Sequence, residues 1–184
     1  FNTVLERVHR PAELGGVDSN HMVAEQIIKG VEITPEGYVQ RGRFHAHGVV
    51  DMVRGPNRKS FARYGYPSGA PRKLKERVLR AAERIMLGIG FDDGCFNMEF
   101  FHDPTTDRLW LIEINPRISQ SHSQIFRMVD GMSNHQVALH VALGEDPCFE
   151  KGAGPFKVAA KFLLRRYDTR DGICTRVPTA EDLA

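Results

Sequence analysis

The chain has 184 residues, 41% hydrophobic and 26% charged, with a formal net charge of +2 and a pI of about 8.5. This fits one compact domain with enough apolar material for its own core, and the mild, scattered positive charge gives no electrostatic footprint for nucleic acid. No apolar run approaches the ~18–20 residues that a membrane-crossing helix needs.

Residues 1–21 form a lead-in. Val4, Leu5 and Val8 make one apolar helical turn, and Leu14 to Asn20 has loop composition, with Gly15-Gly16 better read as a turn than as a phosphate cradle. The start, Phe1-Asn2-Thr3, is neither a signal peptide nor an initiator methionine, so the chain is expected to be a piece of something longer. His21 to Ile28 is expected to be a strand, broken at Lys29-Gly30. Val31 to Val39 resumes it, with Pro35 inside arguing for an edge position or a bend. Gln40-Arg41-Gly42 is a turn and Arg43 to Val53 a returning strand. His45 and His47 share a strand face; a His-x-His pair can bind zinc, but no further ligand follows at ligand spacing, so a structural pair is expected. Asp51 and Arg54, near the strand end, are candidates for contact with substrate or nucleotide.

Arg54 to Pro71 is expected to be one long connection rich in Gly, Pro, Arg and Tyr. Arg54, Arg58, Lys59 and Arg63, with Phe61, Tyr64 and Tyr66, could stack on and neutralise single-stranded nucleic acid, flank a phosphate-rich site, or belong to a solvated loop. Arg72 to Leu87 is a helix, with Leu74, Val78, Ala81 or Ala82, and Ile85 at three- and four-residue steps; Pro71 suits its first turn and Gly88-Ile89-Gly90 stops it.

Phe96 to His102 and Arg108 to Ile114 are two aromatic-rich runs joined by Asp103-Pro104-Thr105-Thr106-Asp107, which has turn chemistry; together they make a β-hairpin. Period-two alternation puts Asn97 and Glu99 on one face, and Leu109, Leu111, Glu113 and Asn115 on one face of the return strand. A tight turn sets Glu99 opposite residue 111 or 113. Two carboxylates side by side destabilise a bare sheet, and a hard divalent cation removes the conflict. Asn115 adds a neutral oxygen, and Arg117 a fixed cation suited to phosphate or carboxylate. The alternative is an amphipathic hairpin with two solvated glutamates.

Ser119 to Gln124 is a polar loop in which His122 bonds locally or takes part in proton transfer. Gly131 to Leu143 is a second helix, capped by Ser133 or Asn134 and stopped by Gly144. Lys151 to Pro155 is a glycine-rich link; Val158, Ala160, Phe162 and Leu164 alternate with basic residues as a half-exposed strand. Tyr167 to Gly172 is a turn, Ile173 to Val177 a last strand, and Arg165, Arg166 and Arg170 are edge charges. Cys95, Cys148 and Cys174 are an odd, widely spaced set, which points to free thiols in a reducing, cytoplasmic setting.

Glu113-Ile114-Asn115-Pro116-Arg117, preceded by Asn97-Met98-Glu99-Phe100, resembles the metal-binding end of the ATP-grasp superfamily, and the continuation Ile118-Ser119-Gln120-Ser121 resembles its biotin carboxylase and carbamoyl-phosphate synthetase branch. Glu25 to Glu32 resembles the adenine hinge of that superfamily. The resemblance implies that Glu25 opens the hinge, the Gln26 backbone accepts from the adenine amino group, the Ile28 N–H donates to the ring, and Glu32 holds the ribose hydroxyls. It further implies Mg²⁺ (or Mn²⁺) on Glu99, Glu113 and Asn115, with Asn115 and Arg117 as catalytic residues. The chain departs from biotin carboxylases in having Ser-Gln-Ser-His where they carry Gln-Val-Glu-His, and it lacks the Arg-x-Gly-Gly ending of many amino-acid ligases of the superfamily.

The expected fold is α+β, a mostly antiparallel sheet with helices packed on one face, spanning residues 22–178 as the C-terminal half of an ATP-grasp domain, with 179–184 as a tail. The superfamily's phosphate-binding lysines and glycine-rich flap precede the hinge; residues 1–21 contain no lysine, so half of the site is expected to come from outside the chain. The expected function is ATP- and Mg-dependent ligation, in which a carboxylate or bicarbonate is activated as an acyl phosphate for attack by an amine or other nucleophile, with a homodimer compatible with this reading. The alternatives are a non-catalytic nucleotide-binding or regulatory module of the same fold and, further off, a single-stranded nucleic-acid binder using residues 54–72.

Overall fold

The structure, a computed structural model, describes residues 26–55, 60–164, 172, 173, 175–177, 179 and 181–183. Six strands form one antiparallel sheet: β1 (Val31–Gln40), β2 (Arg43–Arg54), β3 (Phe61–Tyr66), β4 (Gly94–Asp103), β5 (Arg108–Asn115) and β6 (Ala159–Phe162), in the order β5-β4-β1-β2-β3-β6. Three helices accompany it: α1 (Arg72–Gly88), α2 (Ser123–Asp130) and α3 (Asn134–Ala142). The α+β class with an antiparallel sheet is as the sequence leads one to expect.

The helices, however, divide between the two faces. On β1 the side chains alternate, so Ile33 and Val39 face one way and Tyr38 the other. Val78, Ala82 and Met86 of α1, one stripe at helical spacing, pack on Ile33, Val49, Phe96, Met98 and Phe100. On the opposite face Ile125, Phe126 and Val129 of α2 meet Val50, Met52, Tyr64 and Tyr66, while Val137 and Val141 of α3 meet Tyr38 and Cys95. A sheet apolar on both faces has to be covered on both.

Several local expectations change. Pro35 suggests an edge, yet β1 lies inside the sheet, between β4 and β2. The β1–β4 ladder is interrupted between Ile33↔Phe100 and Glu36↔Asn97, and the β1–β2 register shifts between Glu36 and Gly37, so the missing proline N–H falls in a bulged stretch. Residues 26–29 precede the sheet and are not strand. Gly30 sits where a Cβ would lie 2.4 Å from the His102 carbonyl oxygen, a close approach that brings this segment onto the end of β4.

The long connection after Arg54 contains strand β3, and Tyr64 and Tyr66 are buried in the core, so they are not available to stack on bases. Helix α2, unexpected in the sequence, follows a 3-10 turn at Gln120–His122 and ends at Gly131, whose φ is +76°. Helix α3 is capped by Ser133 as a capping box with Gln136. The described residues of 173–177 are not strand. Residues 1–25, Arg58, Lys59, Arg165, Arg166, Arg170 and Cys174 lie outside the described residues. Cys95 is buried and Cys148 exposed, both as free thiols. Among the described residues no helix is long and apolar enough to cross a membrane.

Candidate functional site

The face of the sheet that carries α2 and α3 is polar along its β1–β4–β5 part. Period-two alternation on β1 puts Glu32, Thr34 and Glu36 there, all buried. On β4 it presents Asn97 and Glu99. The hairpin register sets Glu99 directly opposite Glu113 and Asn97 directly opposite Asn115. Of the two registers open to the sequence, the turn Pro104–Asp107, with Asp107 at φ +52°, realises the one that pairs the glutamates. A register shift between Glu99 and Phe100 adds one residue on β5. Leu111 and Leu109 therefore pair with Phe100 and His102, and leave the Glu113 face on which simple alternation places them.

No described side chain forms an ion pair with Glu99 or Glu113. Glu32 is 3% exposed. Burial pushes its carboxyl up to about 7, against the opposing pull of the Arg54 guanidinium and with a further upward push from Glu99. The Arg54 Nε donates to Glu32 Oε2 at 2.8 Å, and Glu32 Oε1 has no donor among the described residues. Arg54 also lies over the Phe61 ring, 4.4 Å from its centroid.

The predicted hinge meets this acidic face. Ile28 with Glu32, Arg54, Met52 and Phe101 lines a cavity of about 690 Å³. Gln26 and Ile28 line an adjoining one of about 620 Å³ with Trp110 and Leu111. Glu25 lies outside the described residues. At the other end Asn115 is buried, and its Oδ1 accepts from Arg117 Nη2 at 3.1 Å. Arg117 also donates to the Ile118 carbonyl. Thus Glu32, Glu99, Glu113, Asn115 and Arg117 lie on or beside one continuous surface. Two carboxylates and an amide oxygen are a hard-oxygen donor set suited to Mg²⁺ completed by phosphate oxygens. Among the described residues no group of three or more His, Cys, Asp or Glu could hold a metal by itself.

His45 and His47 serve as aromatic surfaces. His45 stacks on Tyr38 with centroids 4.6 Å apart, and His47 on Phe126 at 4.0 Å. Burial pushes His47 down to about 3 and keeps it neutral. Asp51 is structural: it accepts from Ser68 Oγ and the Gly69 N–H just ahead of α1.

Sequence reasoning missed Glu36, the most heavily hydrogen-bonded acid of the site. Its carboxylate accepts from Asn97, the Ser119 N–H, His122 and Asn134. The available signal was that Glu32, Thr34 and Glu36 fall on one face at a two-residue period. An apolar-poor face on an interior strand is a lined site.

Residues 68–147 match the family described as the carbamoyl-phosphate synthase L chain, ATP binding domain. A carbamoyl phosphate synthase large chain from Thermotoga neapolitana is 29% identical over 103 residues, covering 56% of this chain and 9% of that one. Among solved structures, an L-amino acid ligase from Bacillus licheniformis superposes with a TM-score of 0.69 at 20% identity, over 90% of this chain and 43% of its own. The biotin carboxylase domain of a 2-oxoglutarate carboxylase from Hydrogenobacter thermophilus, solved with MgADP, ADP and bicarbonate, gives 0.55 at 21% identity, over 66% and 26%. The chain therefore spans only a minor part of each of these relatives. This sheet, the matched segment and the Glu-x-Asn-Pro-Arg strand end opposite Glu99 are similar to those of the ATP-grasp superfamily.

Proposed function

We propose that this chain carries the adenine and metal side of an ATP- and Mg-dependent ligase that activates a carboxylate or bicarbonate. The observation that carries the reading is the Glu99–Glu113 cross-strand pair, without a cationic partner among the described residues, on the same face as Glu32 and the cavity beneath residues 27–32. In this reading the adenine edge meets the backbone of Gln26 and Ile28, with Glu25 opening that segment. Glu32 accepts from the ribose hydroxyls through Oε1, the oxygen that has no donor among the described residues. Glu99, Glu113 and Asn115 would hold Mg²⁺, which when bound neutralises phosphate charge.

The chemistry is then phosphoryl transfer followed by substitution. A carboxylate oxygen attacks the γ-phosphorus, the bond to the bridging β–γ oxygen breaks, and ADP departs, leaving an acyl phosphate. An amine or other nucleophile attacks the carbonyl carbon, and inorganic phosphate leaves with the bonding pair. Arg117 faces the charge that develops on the transferred group, with Asn115 fixing its guanidinium. Such catalysis consists of positioning and charge neutralisation.

The test is a thermal melt of the chain with ADP or ATP, with and without Mg²⁺. A ligand at about 100 times its Kd adds about 2.7 kcal/mol, which for a domain of this size raises Tm by roughly 5–10 °C. The rise should need Mg²⁺ and disappear in Glu113→Ala while that variant's ligand-free melt stays cooperative. A nucleotide shift that ignores Mg²⁺, or survives Glu113→Ala and Glu99→Ala, refutes the metal assignment.

A further inference from the structure

Glu36 stands in the middle of an interior strand, 1% exposed, and a buried carboxylate there is costly unless its oxygens are satisfied. They are satisfied by an unusual set of donors. Oε1 accepts from the Ser119 N–H at 3.1 Å and from Asn134 Nδ2. Oε2 accepts from Asn97 Nδ2 at 3.3 Å and pairs with His122 Nδ1 at 2.8 Å. Asn134 Nδ2 also donates to the Ser119 carbonyl at 2.7 Å. His122 is itself fixed, 1% exposed, with Tyr64 and Phe126 packed edge-on against its ring.

The placement of these donors matters more than their number. Asn97 is the cross-strand partner of Asn115. Ser119 and His122 follow Arg117 by two and five residues, so the carboxylate grips the chain just after Asn115-Pro116-Arg117 and, through Asn97, the strand beside Asn115. Asn134 opens α3 and ties that helix to the same oxygen. Arg117 hydrogen-bonds only to Asn115 and Ile118 among the described residues, so its own contacts do not anchor it to the rest of the sheet.

We infer that Glu36 is a positioning residue for metal and phosphate binding: from β1, with β4 between, it holds the Asn115–Arg117 corner at the Glu99–Glu113 pair. This rests on the nucleotide reading above but adds a residue that touches neither nucleotide nor metal. It makes a directional demand. Glutamine at 36 keeps the shape but replaces an acceptor oxygen by an NH2 group, which must face donors from Ser119 and Asn134 or from Asn97 and His122. Glutamine at 122 still offers Glu36 a donor, whereas alanine does not.

The test uses the 184-residue chain with Glu36→Gln, His122→Gln and His122→Ala. Two quantities are read: hydrogen exchange of the Ser119 amide without nucleotide, and ADP affinity with and without Mg²⁺. In Glu36→Gln the Ser119 amide should exchange at least about tenfold faster while amides in α1 hold, and the Mg²⁺-dependent gain in ADP affinity should fall about tenfold with the metal-free affinity within about twofold. His122→Ala should lose part of both, and His122→Gln should restore them. Unchanged Ser119 exchange, or equal loss of both ADP affinities, overturns the inference. If wild type shows no Mg²⁺-dependent gain, the nucleotide reading fails, and Ser119 exchange still decides whether Glu36 holds the corner. If Glu36→Gln does not fold, the two His122 variants decide it.

Discussion

Glu32 shows how much of this site is set by one group's surroundings. Its carboxyl is pushed up to about 7 first by burial and then by Glu99, with Arg54 opposing. A carboxyl raised in the folded state binds its proton more tightly there than in the unfolded chain. The stability it contributes is therefore complete below pH ~4.5 and is lost as pH rises through about 7. The full span of that loss is on the order of 3 kcal/mol. Glu32→Gln should flatten the fall in Tm between pH 5 and 7.5 relative to wild type; parallel pH profiles for the two proteins would show that Glu32 titrates normally. The acids proposed to hold the metal were legible in the sequence as a pair, because strand alternation and a short turn leave Glu99 opposite residue 111 or 113, and the hairpin takes the second of these registers. Glu36 was not. Its partners come from Asn97, Ser119, His122 and Asn134, far along the chain, and no local pattern announces where those donors converge.

At the scale of elements, capping and glycine stops were the readable signals, and packing determined the rest. Helix α1 could be bounded almost to the residue because Pro71 opens it and Gly90, at φ +72°, follows its end. Helix α2 was hidden in a stretch that begins Ser-Gln-Ser-His-Ser-Gln. Its three apolar anchors, Ile125, Phe126 and Val129, span barely one turn, too short a stripe to establish a helical period without the core they bury against. The opposite case is α3, whose start is chemically specified. Ser133 accepts from the Gln136 N–H while Gln136 Oε1 accepts from the Ser133 N–H. Ser133→Ala should cost about 1 kcal/mol, with a Tm fall of roughly 2–4 °C. Because Asn134 follows the cap and holds Glu36, the same substitution should also weaken the Mg²⁺-dependent ADP affinity. A Tm fall with unchanged ADP affinity would mean that the cap serves the helix alone.

For the whole molecule, the consequence of helices on both faces is that the sheet is a shared wall. Ile33 and Val39 belong to the α1 side and Tyr38 to the α3 side of one strand, so neither core can come apart while the other keeps β1 in place. The two cores should therefore unfold together. Val78, fully buried under α1, and Val137, 1% exposed under α3, test this from opposite sides without touching the polar face between β1, β4 and β5. Each truncation to alanine removes two methyl-sized groups from a packed core, for a cost of roughly 1–3 kcal/mol. Val78→Ala and Val137→Ala should each lower the denaturant midpoint in a single transition with an unchanged slope. Their double variant should show the sum to within about 0.5 kcal/mol, since the sites share no contact across the sheet. Two separable transitions, by circular dichroism and by the fluorescence of Trp110, would instead mean that the α3 side opens independently. The Asn115–Arg117 corner, held to that side through Asn134, would then be governed by a local equilibrium rather than by the stability of the whole domain.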